Sequence, residues 1–154
     1  MLAGEYCNRS VTIIGKHDSI RKASKLMRKH HTRDILVVEL RNGERIPVGI
    51  ITDRDIVIQV LAIDVEIDDI SIEDVMSYKL ITANENDDLM NTIRRMRINT
   101  VRRIPIVNQA GGLVGVLSTD DILDIITEQL MDIDQINFND KKREKGYRPV
   151  FSHH

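Results

Sequence analysis

The sequence contains one cysteine, Cys7, and no tryptophan among its 154 residues. A single cysteine excludes an internal disulfide and a cysteine-rich zinc site. With three tyrosines and two phenylalanines, few aromatic side chains are available to stack on single-stranded nucleic acid. The 22 basic and 24 acidic residues leave a formal net charge of −2, which argues against broad binding to a phosphate backbone. We therefore expect no nucleic acid partner.

Long hydrophobic runs are also absent, and none approaches the ~18 residues that a membrane span needs. The densest apolar stretch, residues 56–63, is interrupted by Gln59. The N-terminus lacks a basic segment followed by an apolar one, so no signal peptide is predicted. We therefore expect a cytoplasmic protein with no membrane partner. The composition, 42% apolar and 30% charged, is that of a globular domain with a core.

The chain contains an internal repeat, the first feature to look for in any sequence. A shift of 69 positions aligns the first halves of the two copies, and a shift of 66 aligns their second halves, with the difference falling in a loop. Matched pairs are Met27 with Met96, Arg33 with Arg102, Val48 with Val114, and Asp55 with Asp121.

Each copy predicts the element order β-α-β-β-α. Apolar residues recur at helical spacing in the helices, and Asn42-Gly43 is typical of a hairpin turn. Asp18 and Asp87 are expected to cap the first helix of each copy or to offset its dipole. The predicted strands are 11–14, 35–40, 46–52, 80–82, 104–107 and 113–118, and the predicted helices are 18–30, 53–63, 87–99 and 119–131.

The fold class is therefore α/β, with two β-α-β-β-α repeats packed as one pseudo-two-fold module. The linker carries six acids and is expected to hold a short helical turn near residues 72–76. The C-terminal segment loses its apolar period, so we predict a charged, flexible tail; the alternative is an arm that contacts a partner or a nucleic acid. The predicted organisation is repeat one at 5–63, an acidic linker at 64–75, repeat two at 76–131 and the tail at 132–154.

One motif occurs at the same place in both copies: Gly, two apolar residues, Thr or Ser, two further residues and Asp, at 49–55 and 115–121. Thr52 and Ser118 fall where a strand meets a helix, where a hydroxyl can cap the helix. Asp55 and Asp121 fall in the first helical turn, where the dipole favours an acid. The functional alternative is a carboxylate that accepts hydrogen bonds from both hydroxyls of a ribose. Recurrence in both copies favours ribose binding.

The duplicated motif resembles that of a tandem pair of cystathionine-β-synthase (CBS) domains, also called a Bateman module. Residues 7–13, the helix that ends at Met27 and residues 102–107 fit the same family, and the resemblance covers residues 5–131. It implies two crossed clefts, each combining the Thr or Ser and the Asp of one repeat with residues of the other. One cleft would combine Thr52 and Asp55 with Arg102, Arg103 and the backbone around Tyr78–Ile81. The other would combine Ser118 and Asp121 with Arg33, Asp34 and the backbone around Arg9–Thr12, and Pro105 is a further implied nucleotide-binding residue.

The resemblance implies a non-enzymatic regulatory or sensor module that binds an adenosine-containing ligand. AMP, ADP and ATP are the leading ligands, S-adenosylmethionine is a further one, and no covalent cofactor or metal is implied. The alternative is a structural or protein-interaction dimerisation module without a nucleotide. No nucleophile, base and orienting residue occur together, and no phosphate-binding loop of the Walker type is present, so we expect no enzyme.

Two further expectations concern partners and charge. The helices at 53–63 and 119–131 are apolar over more than one stripe, so we expect a homodimer, which would signal to an unknown regulated protein. Arg102 and Arg103 precede a strand in repeat two where Arg33 and Asp34 precede its equivalent. If the clefts are crossed, this count makes the Thr52–Asp55 cleft the better phosphate binder.

Overall fold

The computed structural model describes residues 1–147, which form two compact units. The first unit is Met1–Ser118, and the described part of the second is one helix. The α-helices and strands of the first unit are α1 (Ala3–Tyr6), β1 (Ile13–Gly15), α2 (Ile20–His30), β2 (Asp34–Arg41), β3 (Glu44–Thr52), α3 (Asp53–Ile56), α4 (Ile72–Val75), β4 (Ala83–Asn84), α5 (Leu89–Asn99), β5 (Arg103–Val107) and β6 (Leu113–Ser118). A π-helix at Val57–Leu61 and a 3-10 helix at Ile67–Asp69 lie between α3 and α4, and the second unit holds α6 (Thr119–Tyr147).

The repeat predicted from the sequence is confirmed by two sheets of the same topology. In the first, β1 pairs parallel with β2, and β2 pairs antiparallel with β3. In the second, β4 pairs parallel with β5, and β5 pairs antiparallel with β6. Both hairpins carry a register shift at the same place, after Val37 and after Ile106. The α/β class with two β-α-β-β-α repeats is therefore correct.

The first strand of each repeat begins later than predicted. β1 starts at Ile13 rather than residue 11, and β4 is Ala83–Asn84 rather than 80–82. The residues just upstream bond to the other repeat instead, as the isolated bridges of Asn8 to Val116 and Ser77 to Ile50 show. The chain can therefore join its own sheet only after it has left the neighbouring one.

The predicted helix 53–63 is shorter and less regular than expected. It is α-helical over Asp53–Ile56 and continues as a π-helix over Val57–Leu61. The peptide N–H of Ala62 donates to the carbonyl of Val57, five residues back. This segment is rich in β-branched residues, which crowd an α-helix and lower its propensity.

Asp18 and Asp87 do not cap the helices that follow them, which corrects the sequence interpretation. Ser19 and Asp88 are the N-caps of α2 and α5. Asp18 accepts a hydrogen bond from the N–H of Gly15 at 2.8 Å, and Asp87 accepts one from the N–H of Asn84 at 2.9 Å. Both carboxylates therefore close the turn between strand and helix, one residue before the cap.

The short helices α1 and α4 each pack with the other repeat. The N–H groups of Ala3 and Gly4 donate to carbonyls of repeat two, at Asp87 and Glu85. Ile72 of α4, at 0% exposure, lies in the core of repeat one. The turn predicted near residues 72–76 is thus present, but its apolar side completes a core rather than standing in solvent.

Helix α6 is longer than predicted, since it continues to Tyr147 instead of ending at residue 131. The expected flexible tail from residue 132 is helical as far as residue 147, and its remainder lies outside the described residues. No glycine or proline interrupts residues 119–145, and good helix formers such as Gln135 and Lys141 are frequent there, so the helix persists after its apolar period fades. Among the described residues, no helix is long and apolar enough to cross a membrane.

Candidate functional site

Two extended segments cross from one repeat to the edge strand of the other. The N–H of Asn8 donates to the carbonyl of Val116 at 2.8 Å, and the N–H of Val116 donates back to Asn8 at 2.9 Å. Ser77 and Ile50 exchange the equivalent pair at 2.8 and 3.0 Å. Each repeat's opening segment therefore lies beside the strand that carries the Gly-x-x-Thr/Ser motif of the other.

The motif glycines make this close approach sterically feasible. A Cβ at Gly115 would lie 2.5 Å from the carbonyl oxygen of Asn8, and a Cβ at Gly49 would lie 2.6 Å from that of Ser77. Real Cβ atoms are not found at such distances from a backbone oxygen. Glycine at both positions is therefore a requirement of the crossed arrangement.

A cavity of about 180 Å³ opens where the first crossing segment meets both hairpins. Its polar lining includes the hydroxyl side chains of the crossing segment, and its apolar lining comes from all four hairpin strands. The volume is below the ~300–1,000 Å³ of a typical ligand pocket, so a ligand of adenosine size would fill it and extend outward. The lining residues are Ser10, Val11, Thr12, His30, Thr32, Asp34, Leu36, Ile50, Arg103, Pro105 and Val116.

The charged residues of the cavity neutralise each other. Arg103, the first residue of β5, donates from its guanidinium to the carboxylate of Asp34, the first residue of β2. The charge count made from the sequence therefore needs correction, since it assigned Arg103 to offset Asp55. The positive charge of Arg103 offsets the negative charge of Asp34 instead, across the two repeats.

Thr52 and Asp55 form a reciprocal capping box at the start of α3. The N–H of Asp55 donates to the Thr52 hydroxyl at 3.1 Å, and the N–H of Thr52 donates to Oδ2 of Asp55 at 2.9 Å. Within the described residues, Oδ1 of Asp55 accepts no hydrogen bond. The two residues thus stabilise the helix start, as the helix-capping interpretation requires, and leave one carboxylate oxygen for another contact.

The structure brings together four of the predicted site residues, Thr12, Asp34, Arg103 and Pro105, in one cavity, with Ser10 and Val11 of the predicted backbone segment beside them. Ser118 ends β6, two residues after Val116 on the same strand, and Asp121 belongs to the second unit, on α6. The other predicted residues lie in unit one outside the described cavity lining. Arg9 donates to the carbonyl of Gly4 at 3.3 Å, Tyr78 is 65% exposed and donates to the carbonyl of Glu73, Ile81 is half-buried, and Arg33 and Arg102 are exposed.

Sequence reasoning missed five lining residues, and the repeat contains a signal for one of them, Leu36. The five are His30, Thr32, Leu36, Ile50 and Val116. Pro105 is equivalent to Leu36 at the shift of 69, and Val116 is equivalent to Ile50 at the shift of 66. All four line the cavity, so applying the repeat to Pro105 would have found Leu36. His30 and Thr32, by contrast, lie in a helix end and a connecting loop, where the sequence gives no such signal.

Apolar side chains on the segment after α3 are exposed to solvent. Val57 is 52% exposed, Leu61 is 62% exposed and Ile63 is 59% exposed. They belong to the predicted helix 53–63, which was expected to need a second surface to cover its apolar side chains.

Among the described residues, no group of three His, Cys, Asp or Glu side chains could hold a metal ion.

Comparisons with known proteins agree with this geometry. The family model described as "CBS domain" matches residues 3–62 and 72–128. An uncharacterised protein of Methanopyrus kandleri is 31% identical over 122 residues, which are 79% of this chain and 61% of that protein. The CBS domain-containing protein YhcV of Bacillus subtilis is 31% identical over 112 residues, which are 73% of this chain and 76% of YhcV.

A solved structure gives a ligand-bound example of the same fold. It is the CBS domain pair of protein MJ0100 in complex with 5′-methylthioadenosine and S-adenosyl-L-methionine. The TM-score is 0.65 at 25% sequence identity, and the match covers 82% of this chain and 99% of that one.

Proposed function

Because this chain belongs to the CBS domain family, we propose that it is a non-enzymatic regulatory module that binds an adenosine-containing ligand. The proposed site is the cavity beside residues 10–12, and the occupied state is read by a partner protein. The observation that carries the proposal is the crossing of each opening segment onto the glycine-containing strand of the other repeat. A ligand held there touches both repeats at once.

The lining suits the parts of an adenosine. Leu36, Ile50 and Pro105 offer apolar surface to the faces of a purine ring, and the burial of that surface drives association. The hydroxyls of Ser10 and Thr12 can each donate and accept hydrogen bonds at ring nitrogens or ribose hydroxyls. Apolar walls with a few polar groups are the usual composition of a small-molecule site.

The charges suggest how adenosine ligands are ranked. A phosphate needs a cation, and Arg103 already donates to Asp34. AMP, ADP and ATP would have to compete with that carboxylate, whereas S-adenosylmethionine carries no phosphate. The MJ0100 domain pair, which was solved with two phosphate-free adenosine compounds, is consistent with the second class. All four compounds are candidates, and we expect the order of their affinities to depend on this ion pair.

We also propose that the protein is a homodimer. The exposed apolar side chains Val57, Leu61 and Ile63 lie close together in the sequence, and patches of this kind mark association sites. Occupancy of the cavity could then reach the regulated protein through the geometry of the dimer.

A thermal-unfolding panel tests the ligand proposal. The full chain is heated with AMP, ADP, ATP, S-adenosylmethionine and adenosine, and with GMP as the control for the base. At 100 times the dissociation constant a ligand adds ~2.7 kcal/mol of stability, or roughly 5–10 °C for a chain of this size. A Val11→Trp variant, which fills the cavity, should lose the shift, and Val65→Trp, at a half-buried valine outside the cavity, should keep it.

Two results would overturn the proposal. The first is that none of the adenosine compounds shifts the melting temperature, which would favour the protein-interaction module. The second is that Val11→Trp keeps the full shift while folding like the parent, which would place the ligand elsewhere.

A further inference from the structure

His30 lines the cavity and is at the same time exposed to solvent. It is the last residue of α2, and Thr32, in the loop that follows, lines the same cavity. The C-terminal end of α2 therefore lies at the mouth of the cavity. Because the cavity holds only about 180 Å³, the outer part of an adenosine ligand has to extend through this mouth.

The charges at the mouth do not favour a phosphate while His30 is neutral. Asp34 carries a negative charge, and the positive charge of Arg103 is already engaged with it. The carbonyl groups at the C-terminus of a helix add partial negative charge. Among the described residues that line the cavity, His30 is the one further side chain that can become a cation. A phosphate at the mouth therefore needs His30 in its protonated form.

The surroundings of His30 leave it available for such a contact. In the part of the chain that the structure describes, its side chain has no hydrogen-bond or ion-pair partner. The elements that pack against α2 are β2, α3 and the 3-10 helix at Ile67–Asp69. Their charged side chains, together with those of the mouth, are Asp34, Glu39, Arg41, Asp53, Arg54, Asp55, Asp68, Asp69, Arg33 and Arg103.

These neighbours keep their charge over the pH range in which histidine changes its own. Aspartate, glutamate and arginine side chains are ionised throughout about pH 5.5–8, whereas histidine gains a proton within that range. Asp68 lies at the opposite end of α2, where its carboxylate is 3.7 Å from the guanidinium of Arg21. A change of affinity over this range would therefore report on a histidine, and His17 and His31 lie outside the described lining.

We propose that protonated His30 contacts the phosphate of an adenosine nucleotide at the mouth of the cavity, so that the nucleotide binds with uptake of a proton. This inference rests on the proposed function and adds to it the residue that distinguishes phosphate-bearing ligands from phosphate-free ones. Nucleotides bind more tightly as the pH falls from 8 to 5.5. Adenosine, which lacks the phosphate, binds equally at both values.

The experiment is isothermal calorimetry of the full chain with adenosine 5′-sulfate and with adenosine, at pH 5.5 and pH 8. The sulfate ester replaces AMP because a phosphate monoester itself takes up a proton near pH 6, whereas a sulfate monoester keeps one negative charge throughout. The parent should bind the sulfate about fivefold more tightly at pH 5.5, the upper range for an exposed ion pair. Its affinity for adenosine should not change.

Three variants assign the effect to one side chain. His30→Asn should bind the sulfate at pH 5.5 as weakly as the parent does at pH 8. His30→Lys is a cation at both values and should bind it at both as the parent does at pH 5.5. His31→Asn is the matched control, because His31 is the adjacent residue, lies outside the described lining and has a φ of 51°, which asparagine tolerates. It should keep the pH dependence of the parent.

The outcomes distinguish this inference from the proposed function. A parent protein that binds neither compound at either pH overturns both. Binding of adenosine without the sulfate, or binding of the sulfate that does not depend on pH, overturns the role of His30 alone. The same follows if adenosine shows an equal pH dependence, if His30→Asn keeps the effect, or if His31→Asn loses it. An affinity of His30→Lys for the sulfate that still varies with pH would contradict the role of His30 even if His30→Asn failed to fold.

Discussion

Arg103 and Asp34 are ion-paired, and they occupy equivalent positions of the two repeats, 69 residues apart. Each is the first residue of the central strand of its sheet. Residues related by a local two-fold axis meet only when they lie close to it, so this pair marks the place where the two repeats face each other. Both side chains also line the cavity, so the charge of a ligand bound there, as proposed, would act directly on this ion pair.

We predict that Asp34→Asn strengthens AMP binding about tenfold and leaves S-adenosylmethionine binding nearly unchanged or weaker. The substitution removes one anion and releases Arg103 for a phosphate. A unit charge at ~6 Å contributes roughly 3 kcal/mol at an effective dielectric constant near 20, and salt reduces this toward the ~1.4 kcal/mol that a tenfold change needs. Isothermal calorimetry at low and high salt gives the measurement.

The control for this prediction is Asp53→Asn, which makes the same change of charge at an exposed position at the start of α3. Equal gains in AMP affinity for both variants would mean that AMP binding depends on net charge rather than on the ion pair.

Because the Arg103 and Asp34 side chains are 41% and 31% exposed, the pair should contribute no more than about 1 kcal/mol to folding.

Asp55 offers a way to separate helix capping from ligand binding. Asp55→Ala loses the acceptor for the Thr52 N–H and should cost about 0.5–2 kcal/mol of unfolding free energy. Asp55→Asn keeps one acceptor oxygen and should unfold within ~0.5 kcal/mol of the parent. We propose that a ligand extending outward from the cavity reaches Asp55, because Asp34 of the cavity lining pairs with Thr52 of the capping box. The second oxygen becomes an amide donor in Asp55→Asn, so the ribose hydroxyls lose an acceptor, and we expect weaker adenosine binding in both variants.

Urea unfolding and calorimetry on the same two proteins decide the role of Asp55. If Asp55→Asn binds every adenosine compound like the parent, the residue is a cap and no more. Asp53→Asn again serves as the neighbouring control, because Asp53 lies on the same helix outside the capping box.

The acidic side chain of Asp18 predicts a pH dependence of stability. Burial raises its pKa, but the hydrogen bond from the Gly15 N–H and the contact with Lys22 more than offset this and hold the pKa below its usual value. A depressed pKa stabilises the fold above the unfolded value of 3.8, and this stability is lost as the pH falls through the folded pKa. Asp18→Ala should therefore be less stable than the parent at pH 7, by about 1 kcal/mol for the lost hydrogen bonds.

The unfolding free energies of the parent and Asp18→Ala, measured in urea, should lie closer together at pH 3 than at pH 7. Glu144→Ala, which removes a carboxylate from an exposed helix position, gives the background effect of charge. A difference between parent and Asp18→Ala that does not shrink on acidification would contradict the assignment to the ionised carboxylate.

Much of the fold follows from local patterns in the sequence. The helical spacing before Met27 and Met96 predicts α2 and α5, and both end where expected, at His30 and Asn99. The Asn42-Gly43 turn predicts the first hairpin, and both of its residues have the positive φ that such a turn requires. These features depend on neighbours only a few residues away.

The features that the sequence did not predict depend on contacts between distant segments. The late starts of β1 and β4 arise because the residues before them bond to the other repeat. The pairing of Arg103 with Asp34 arises in the same way, although their equivalence in the repeat was visible beforehand. The continuation of α6 to Tyr147 was missed for a different reason, since helix propensity acts without an apolar period.

The final prediction concerns Gly115, whose missing side chain permits the crossing. Gly115→Ala places a Cβ 2.5 Å from the Asn8 carbonyl oxygen and 2.8 Å from Sγ of Cys7. The segment must move away, which strains both hydrogen bonds between Asn8 and Val116. We expect the unfolding free energy to fall by about 1–3 kcal/mol, the usual cost of overpacking. We also expect adenosine ligands to bind more weakly, because the moved segment continues into Ser10 and Thr12.

Two other glycine variants give the comparison for Gly115→Ala. Gly49→Ala meets the Ser77 carbonyl oxygen at 2.6 Å and should lose a similar amount of stability in urea. Gly43→Asn is the control, because no atom lies within 4 Å of its added Cβ and asparagine tolerates the positive φ of that turn; it should stay within ~0.5 kcal/mol of the parent. If Gly115→Ala were as stable as Gly43→Asn and bound ligand like the parent, the close approach of Asn8 would be unnecessary. The cavity beside residues 10–12 would then not depend on the crossing of the two repeats.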